Sequence, residues 1–276
     1  MDVIHTIAQL RARLKSEPSV ALVPTMGNLH DGHISLVDLA KRHGSCVVTS
    51  VFVNRLQFDA GGDFDRYPRT FPADCAKLEE AGAHVVFAPD EREMYPTTQE
   101  IAITPPKVAE ALEGEHRPGH FQGVATVVAK LFNVVGPDAA VFGKKDYQQL
   151  RVIRELVAQL DFGIEIVAAE TVREPDGLAM SSRNGYLTRE ERAQAVRLPQ
   201  NLRRIRDAVE KGAADFARLT KETEADLARH GWRVDYVALR SRTTLAPPGP
   251  NDRELVLLAA AWLGKTRLID NLEITR

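Results

Sequence analysis

Short apolar runs alternate with longer stretches of helical apolar spacing over roughly the first 170 residues of the chain. The runs are nearly continuous in apolar character, which is typical of strands buried on both faces of a parallel sheet. We predict strands at residues 20–23, 46–53, 84–88, 139–142 and 164–168, and helices at 34–42, 121–135 and 147–160. This alternation predicts an α/β fold with a parallel sheet that helices cover on both faces.

The pattern changes after about residue 172. Thr188 and Glu191 form a capping-box sequence that predicts a helix continuing to about residue 211, and a second helix is predicted at 216–229. Strand-like runs follow at 233–239, 254–260 and 266–274, with a proline-rich loop at 246–251. We therefore predict two domains, an α/β domain at residues 1–171 and a smaller α+β domain at residues 172–276.

Charge and composition narrow the possible partners and location. The formal net charge is −2, so no overall basic field is present to attract a nucleic acid, and we expect none as partner. Two cysteines are too few for a disulfide scaffold and fit a reducing cytoplasm. The first 20 residues carry charges instead of a signal-peptide core, and no apolar stretch is long enough to cross a membrane. We expect a cytoplasmic protein without a membrane partner.

Three polar loops that contain glycine come directly after predicted strands of the first domain, at residues 24–33, 54–69 and 143–149. In an open parallel sheet the carboxyl ends of the strands lie along one edge, where ligands bind. We therefore expect the three loops to meet at one crevice.

The first loop carries His30 and His33 three residues apart, with Gly27 before them and Gly32 at the start of the next helix. A helix N-terminus exposes backbone N–H groups that attract phosphate, and both imidazoles can point to the same phosphate chain. Capping or core hydrogen bonding by the histidines is the alternative. A zinc site is less favoured, because no third ligand is evident nearby.

The second loop offers the amides of Asn54 and Gln57, which can hydrogen-bond a small hydroxylated or carboxylated substrate. Gly61, Gly62 and Asp63 fit an ordinary surface loop as well as they fit a substrate-binding loop.

The third loop places Lys144, Lys145 and Asp146 at a strand-to-helix junction. Lysine suits phosphate oxygens, whereas Asp146 is equally explained as a helix cap. Further on, the run at residues 181–183 is rich in hydrogen-bond donors that could hold a triphosphate. The chain contains no Gly-x-x-x-x-Gly-Lys-Ser/Thr sequence, so a P-loop is not expected.

Four of these stretches, in order, carry a resemblance: PTMGNLHDGH, FVNRLQFDAGGDFDRYPRT, RPGHFQGVATVVAKLFNVVGPDAAVFGKKDYQQL and VREPDGLAMSSRNGYL. Together they resemble the pantoate–β-alanine ligase family of the nucleotidyltransferase superfamily. The similarity runs from about residue 20 to 187 and continues more weakly to TRLIDNLEI near the end. It implies an ATP-dependent condensation of pantoate with β-alanine to pantothenate, AMP and pyrophosphate, through pantoyl adenylate. It also implies Mg²⁺, a Rossmann-like N-terminal domain, a C-terminal lid and a homodimer.

The resemblance also implies a role for each matching residue. The residues expected to stabilise the adenylation transition state are His30, His33, Lys145, Ser181, Ser182 and Arg183. Those expected to bind ATP are Met26, His30, His33, Gly143, Lys145, Asp146, Val172, Met180, Ser181, Ser182 and Arg183. Those expected to bind pantoate are Met26, Asn54, Gln57 and Gln149. The resemblance assigns no magnesium ligand.

Two positions depart from the family pattern. Arg55 follows Asn54 where the family usually has proline, which removes a fixed φ from that loop. Lys144 stands where the family often has glutamate, which adds positive charge near the nucleotide residues.

Three other functions are each compatible with part of the sequence. A cytidylyl- or adenylyltransferase of the superfamily would share the histidines but gives no account of Gln57 and Gln149 together. A class I aminoacyl-tRNA synthetase is less favoured, because the chain is short and lacks a basic surface for tRNA. A non-catalytic nucleotide-binding module on the same fold is the third alternative.

Overall fold

The computed structural model describes residues 1–58 and 64–276. The chain forms two compact units. The first comprises residues 1–144 and 148–170, and the second comprises residues 145–147 and 171–276. The second loop's Gly61, Gly62 and Asp63 lie outside the described residues.

The first unit contains a six-stranded parallel sheet, which confirms the predicted α/β class. Its strands are β1 (Asp2–Ile4), β2 (Val20–Thr25), β3 (Cys46–Val51), β4 (Val85–Phe87), β5 (Ala139–Gly143) and β6 (Glu165–Ala169). Their order in the sheet is β1-β4-β3-β2-β5-β6. The predicted strand at 46–53 ends two residues early, because β2 ends at Thr25 and Phe52 makes the last backbone bond to it. β1 was not predicted, because a strand of only three residues gives no recognisable apolar run.

Helices cover both faces of this sheet. They are α1 (Ile7–Leu14), α2 (Asp31–Ala40), α3 (Phe71–Glu80), α4 (Glu91–Met94), α5 (Glu113–His116), α6 (His120–Val135) and α7 (Tyr147–Gln159). Alternate strand residues point to opposite faces. Val20 and Leu22 accordingly pack in a core with α1, α6 and α7, whereas Ala21 and Val23 pack in a second core with α2 and α3.

The second unit contains a three-stranded antiparallel sheet and three helices, the predicted α+β arrangement. The helices are α8 (Arg189–Ala195), α9 (Arg197–Glu210) and α10 (Phe216–Arg229), and the strands are β7 (Trp232–Ser241), β8 (Glu254–Leu263) and β9 (Thr266–Thr275). The single helix predicted from residue 188 to 211 is wrong, since it divides at Val196. Pro199 accounts for the break, because it has no N–H to donate to the carbonyl of Ala195.

Three neighbouring strands determine where the candidate site lies in the first unit. β3, β2 and β5 are adjacent and parallel, so their carboxyl ends lie at one edge of the sheet. The first loop leaves β2 there, the second loop leaves β3, and Gly143 ends β5.

Candidate active site

A buried carboxylate from α3 holds the first loop in its conformation. Gly27 and Asn28 both adopt positive φ, at 79° and 51°, directly after β2. Asp74 is only 2% exposed and accepts hydrogen bonds from the backbone N–H groups of Asn28, at 2.9 Å, and Leu29, at 2.8 Å. One helical turn further on, Lys77 donates to the carbonyl of Leu29 at 2.6 Å. The path of the loop toward α2 is therefore fixed by side chains of α3, which the sequence analysis did not single out.

The two histidines cap α2 together. Nδ1 of His30 accepts from the backbone N–H of Gly32 at 3.2 Å, and Nδ1 of His33 accepts from the backbone N–H of His30 at 3.3 Å. The ring centroids are 4.1 Å apart. A neutral imidazole that accepts at Nδ1 carries its proton on Nε2. The capping alternative is therefore observed. In the neutral form of each ring, the N–H donor is then at Nε2.

The second loop brings Asn54, Gln57 and Met26 together. Asn54 is buried and donates from Nδ2 to Oε1 of Gln57 at 3.1 Å and to the carbonyl of Gly123 at 3.2 Å. Tyr95 donates its hydroxyl to Oδ1 of Asn54 at 2.7 Å. Nε2 of Gln57 then donates to the sulfur of Met26 at 3.3 Å. Two residues predicted to bind pantoate and one predicted to contact both ligands thus form a single chain of hydrogen bonds.

The backbone of the second loop rests directly on α6. Gly123 lies so close that an added Cβ would come within 2.2 Å of the carbonyl oxygen of Leu56 and 2.6 Å of the nitrogen of Gln57. The carbonyl of Gln57 also lies 2.9 Å from Nδ1 of His120. Glycine is needed here for close approach of two backbones, a use that only the structure reveals.

The third loop divides its residues between the two units. In the first unit, Lys144 pairs with Glu170 at 2.5 Å, which gives this departure from the family pattern a partner within the protein. Gln149 is half-buried on α7, whereas the adjacent Gln148 is buried and bonds the carbonyls of Val108 and Ala111. Of the two neighbouring glutamines, Gln148 therefore has a structural role.

Lys145 and Asp146 belong to the second unit. They form a short 3-10 helix with Lys144, and Nζ of Lys145 lies 4.0 Å from the carboxylate of Asp146. The carbonyl of Lys145 accepts from Nδ2 of Asn271 on β9 at 2.9 Å. Tyr147 donates to Glu273 at 2.7 Å, and burial, followed by this hydrogen bond, raises the pKa of Tyr147 to about 12. Its hydroxyl therefore stays protonated at neutral pH.

The other predicted ATP residues of the second unit lie on one turn and the short helix after it. The backbone N–H of Met180 donates to the carbonyl of Val172 at 3.0 Å, which closes the turn. Ser181 caps a 3-10 helix over Ser182–Tyr186 by accepting from the N–H of Arg183. Arg173, which the sequence analysis did not single out, anchors this turn to β9 through a two-pronged ion pair with Asp270 at 2.9 and 2.8 Å.

No group of three or more histidine, cysteine, aspartate or glutamate side chains suited to a metal occurs within residues 1–58 and 64–276. None of the helices in that part of the chain is both long and apolar enough to cross a bilayer.

A parallel α/β sheet with a histidine-capped helix after a central strand defines a Rossmann-like protein. The family model for pantoate-beta-alanine ligase matches residues 2–273. Pantothenate synthetase of Nitrosospira multiformis is 58% identical over 275 residues, covering 100% of this chain and 99% of the relative. That of Thiobacillus denitrificans is 58% identical over 276 residues, covering 100% and 98%.

Solved structures agree with these relatives. The crystal structure of pantothenate synthetase from Thermus thermophilus is 44% identical and superposes with a TM-score of 0.94, covering 100% of both chains. A Francisella tularensis pantoate-beta-alanine ligase, complexed with beta-gamma ATP and beta-alanine, is 33% identical with a TM-score of 0.84 and covers 99% and 97%. The chain belongs to the pantoate–β-alanine ligase family. It is a ligase that condenses pantoate with β-alanine in an ATP-dependent reaction, as the sequence motifs predicted.

Proposed function

We propose that the reaction proceeds in two steps through an adenylate. In the first, a pantoate carboxylate oxygen attacks the α-phosphorus of ATP and pyrophosphate leaves, which forms pantoyl adenylate. In the second, the amine of β-alanine attacks the activated carbonyl, AMP leaves and the nitrogen loses a proton, which forms pantothenate. The adenylate is itself the activated intermediate, so no protein nucleophile is required.

The histidine cap is the observation that carries this proposal. With Nδ1 of His30 and His33 accepting backbone N–H groups, each neutral ring holds its proton on Nε2. Two N–H donors then lie at the positive end of α2, where the charge on departing pyrophosphate increases. Donors held in place before the reaction stabilise that charge more than they stabilise bound ATP. The cap therefore prepares the rings for catalysis.

Pantoate recognition is assigned to the amides. Gln57 and Gln149 bind the hydroxyl and carboxylate groups of pantoate, with Asn54 beside them and Met26 against the reacting carboxyl group. The chain of hydrogen bonds from Asn54 through Gln57 to Met26 supports the grouping of these three residues, whereas Gln149 rests on the sequence motif. Neutral amides bind these oxygens without reducing the nucleophilicity of the carboxylate through a strong ion pair.

The remaining ATP contacts are assigned to Gly143, Lys145 and Asp146 and to five residues further along the chain. Lys145 contacts phosphate, and Asp146 contacts the ribose. The other residues assigned to ATP lie on the turn and short helix described above, and they are Val172, Met180, Ser181, Ser182 and Arg183. A lid role for the second unit is proposed because the adenylate must be shielded from water.

Magnesium is assigned to the triphosphate. Mg²⁺ keeps several waters and commonly binds through substrate phosphates with few protein ligands. Bound in this way, the ion neutralises charge on the phosphate oxygens. We assign it no protein ligand. We further propose a homodimer in the cytoplasm, for which light scattering would give twice the chain mass.

Pyrophosphate exchange tests the two-step route. With Mg²⁺ and ATP, labelled pyrophosphate should enter ATP only when pantoate is present, and AMP should appear only when β-alanine is added. Activity that is indifferent to either substrate would reject the proposal. A stable nucleotidylated product without AMP release would instead indicate a nucleotidyltransferase.

Two substitutions separate capping from catalysis at His33. Asparagine places an oxygen near the position of Nδ1 and retains the cap, whereas glutamine places an amide N–H near the position of Nε2. We expect His33→Asn to keep its stability and lose roughly ten- to a hundredfold in kcat, the effect of one charge-assisted contact. His33→Gln should retain more turnover and lose stability. His43→Ala, just beyond the other end of α2, is the matched control and should keep wild-type turnover.

A further inference from the structure

Asn54 is committed to contacts within the protein. Its two amide hydrogens are directed to Gly123 and Gln57, at 3.2 and 3.1 Å, and its side-chain oxygen accepts from Tyr95. The residue is only 1% exposed. Asn54 therefore has no amide hydrogen left to donate to a substrate, although it lies beside a residue assigned to pantoate.

These contacts dictate the direction of each amide. The carbonyl of Gly123 can only accept, so the NH₂ group of Asn54 must face it and the oxygen must face Tyr95. Tyr95 must then donate, and Oε1 of Gln57 must face Asn54. The NH₂ group of Gln57 is consequently turned away from Asn54, toward Met26.

The phenol of Tyr95 is itself well fixed. Its ring packs against Phe52 at 6.0 Å between centroids, and Nζ of Lys130 lies 4.7 Å from its centroid. Burial, followed by the nearby charge of Glu91, raises the pKa of Tyr95 above its usual range. The hydroxyl therefore keeps its proton and remains a hydrogen-bond donor at neutral pH.

We propose that Tyr95 is a positioning residue for pantoate: its hydroxyl fixes the amide of Asn54, and Asn54 directs the NH₂ group of Gln57 toward the substrate. The proposal rests on the assignment of Gln57 to pantoate made above. An NH₂ group presented to pantoate attracts its oxygens, whereas a reversed amide would present an oxygen and repel a carboxylate. Tyr95 thereby influences substrate recognition without touching the substrate.

Tyr95→Phe removes the hydroxyl and retains the ring. We expect kcat/KM for pantoate to fall about fivefold, the worth of one net hydrogen bond, with KM for ATP within about twofold of wild type. Lys130→Met is the matched control, because it alters packing on the same ring and leaves the hydrogen-bond chain intact. An equal loss in Lys130→Met, or no loss in Tyr95→Phe, would overturn the proposal.

A double-mutant cycle with Gln57→Ala supplies a readout that a purely structural role would not change. If Tyr95 acts through Gln57, adding Tyr95→Phe to Gln57→Ala should cause no further loss for pantoate. Multiplied losses would show that Tyr95 acts elsewhere. Thermal melts check folding, and if Tyr95→Phe does not fold, Tyr95→Met, which also lacks the hydroxyl and fills space flexibly, replaces it in the cycle.

Failure of this inference is distinguishable from failure of the proposed function. If wild type releases no AMP with pantoate and β-alanine, the assigned route is wrong. If wild type does so and Tyr95→Phe equals it, only the positioning role of Tyr95 is wrong.

Discussion

The contact between Asp74 and the first loop leads to a quantitative prediction. The carboxylate accepts two backbone N–H groups and the hydroxyl of Thr70 at 3.1 Å, in a position that water barely reaches. Hydrogen bonds to a charged group each contribute about 1.5–3 kcal/mol, and Asp74→Ala would leave the buried N–H of Leu29 unpaired. Removing a buried charge offsets part of this loss. We expect a net loss of roughly 3 kcal/mol in the free energy of unfolding.

Activity should fall as well, because this loop carries His30 to the helix N-terminus. A displacement of about 1 Å at reacting groups can cost about a hundredfold, so we expect kcat/KM to drop at least tenfold. Asp74→Asn keeps one acceptor and should fall between wild type and alanine. Asp38→Ala removes an exposed carboxylate from α2 that pairs with Lys41 on the surface, and it should change stability by less than about 0.5 kcal/mol.

Urea unfolding followed by circular dichroism measures the stability change, and amide hydrogen exchange reports locally on the N–H groups of Asn28 and Leu29. Both amides should exchange faster in Asp74→Ala than in Asp38→Ala. The anchoring role of Asp74 is refuted if the stability, amide exchange and turnover of Asp74→Ala all match wild type. It is also refuted if stability falls while turnover is unchanged, because the position of His30 on the loop would then not depend on Asp74.

Three further outcomes are expected. Gly123→Ala should cost more than about 3 kcal/mol or prevent folding, because its Cβ meets the backbone at Gln57; unchanged urea unfolding would contradict this. Thr188→Ala should lower stability by about 1 kcal/mol through loss of the cap and leave turnover unchanged, as measured by thermal melting and steady-state rates. The hydrogen bond from Arg192 lowers the pKa of Asp176 below 3.8, so the pair stabilises above that pH and its contribution disappears as pH falls through the folded-state value. Asp176→Asn should therefore differ from wild type by under about 1 kcal/mol at neutral pH and converge with it in acid titrations.

The sheet could be predicted because its strands are buried on both faces and read as unbroken apolar runs. The three residues of β1 gave no such run. The division at Val196 depends on Pro199, and which carbonyl loses its hydrogen bond to that proline is known only once the bounds of α8 and α9 are known. The helices α1 and α3, and the one-turn helices α4 and α5, were not predicted at all. Burial of apolar strands is thus encoded locally, whereas short edge strands and breaks depend on their neighbours.

The histidines and amides of the candidate site could be identified from the motifs, because loops that follow parallel strands meet at one edge. The residues that hold these groups in place could not be identified in this way. Asp74, Tyr95 and Gly123 are distant in sequence from the groups that they hold, and nothing in their local sequence distinguishes a buried carboxylate or a close-approach glycine from ordinary helix residues. The roles assigned to ATP and pantoate residues stay predictions.

The chain passes between its two units three times, at residues 144–145, 147–148 and 170–171. Residues 145–147 are bonded to β9 through Asn271 and Glu273, at a sequence separation of 126. Neither unit is therefore a contiguous cassette that gene fusion can exchange intact. A chimera joined at residue 171 would pair a short peptide from one parent with a terminal strand from the other, and only parents matched at both places should give a working hybrid.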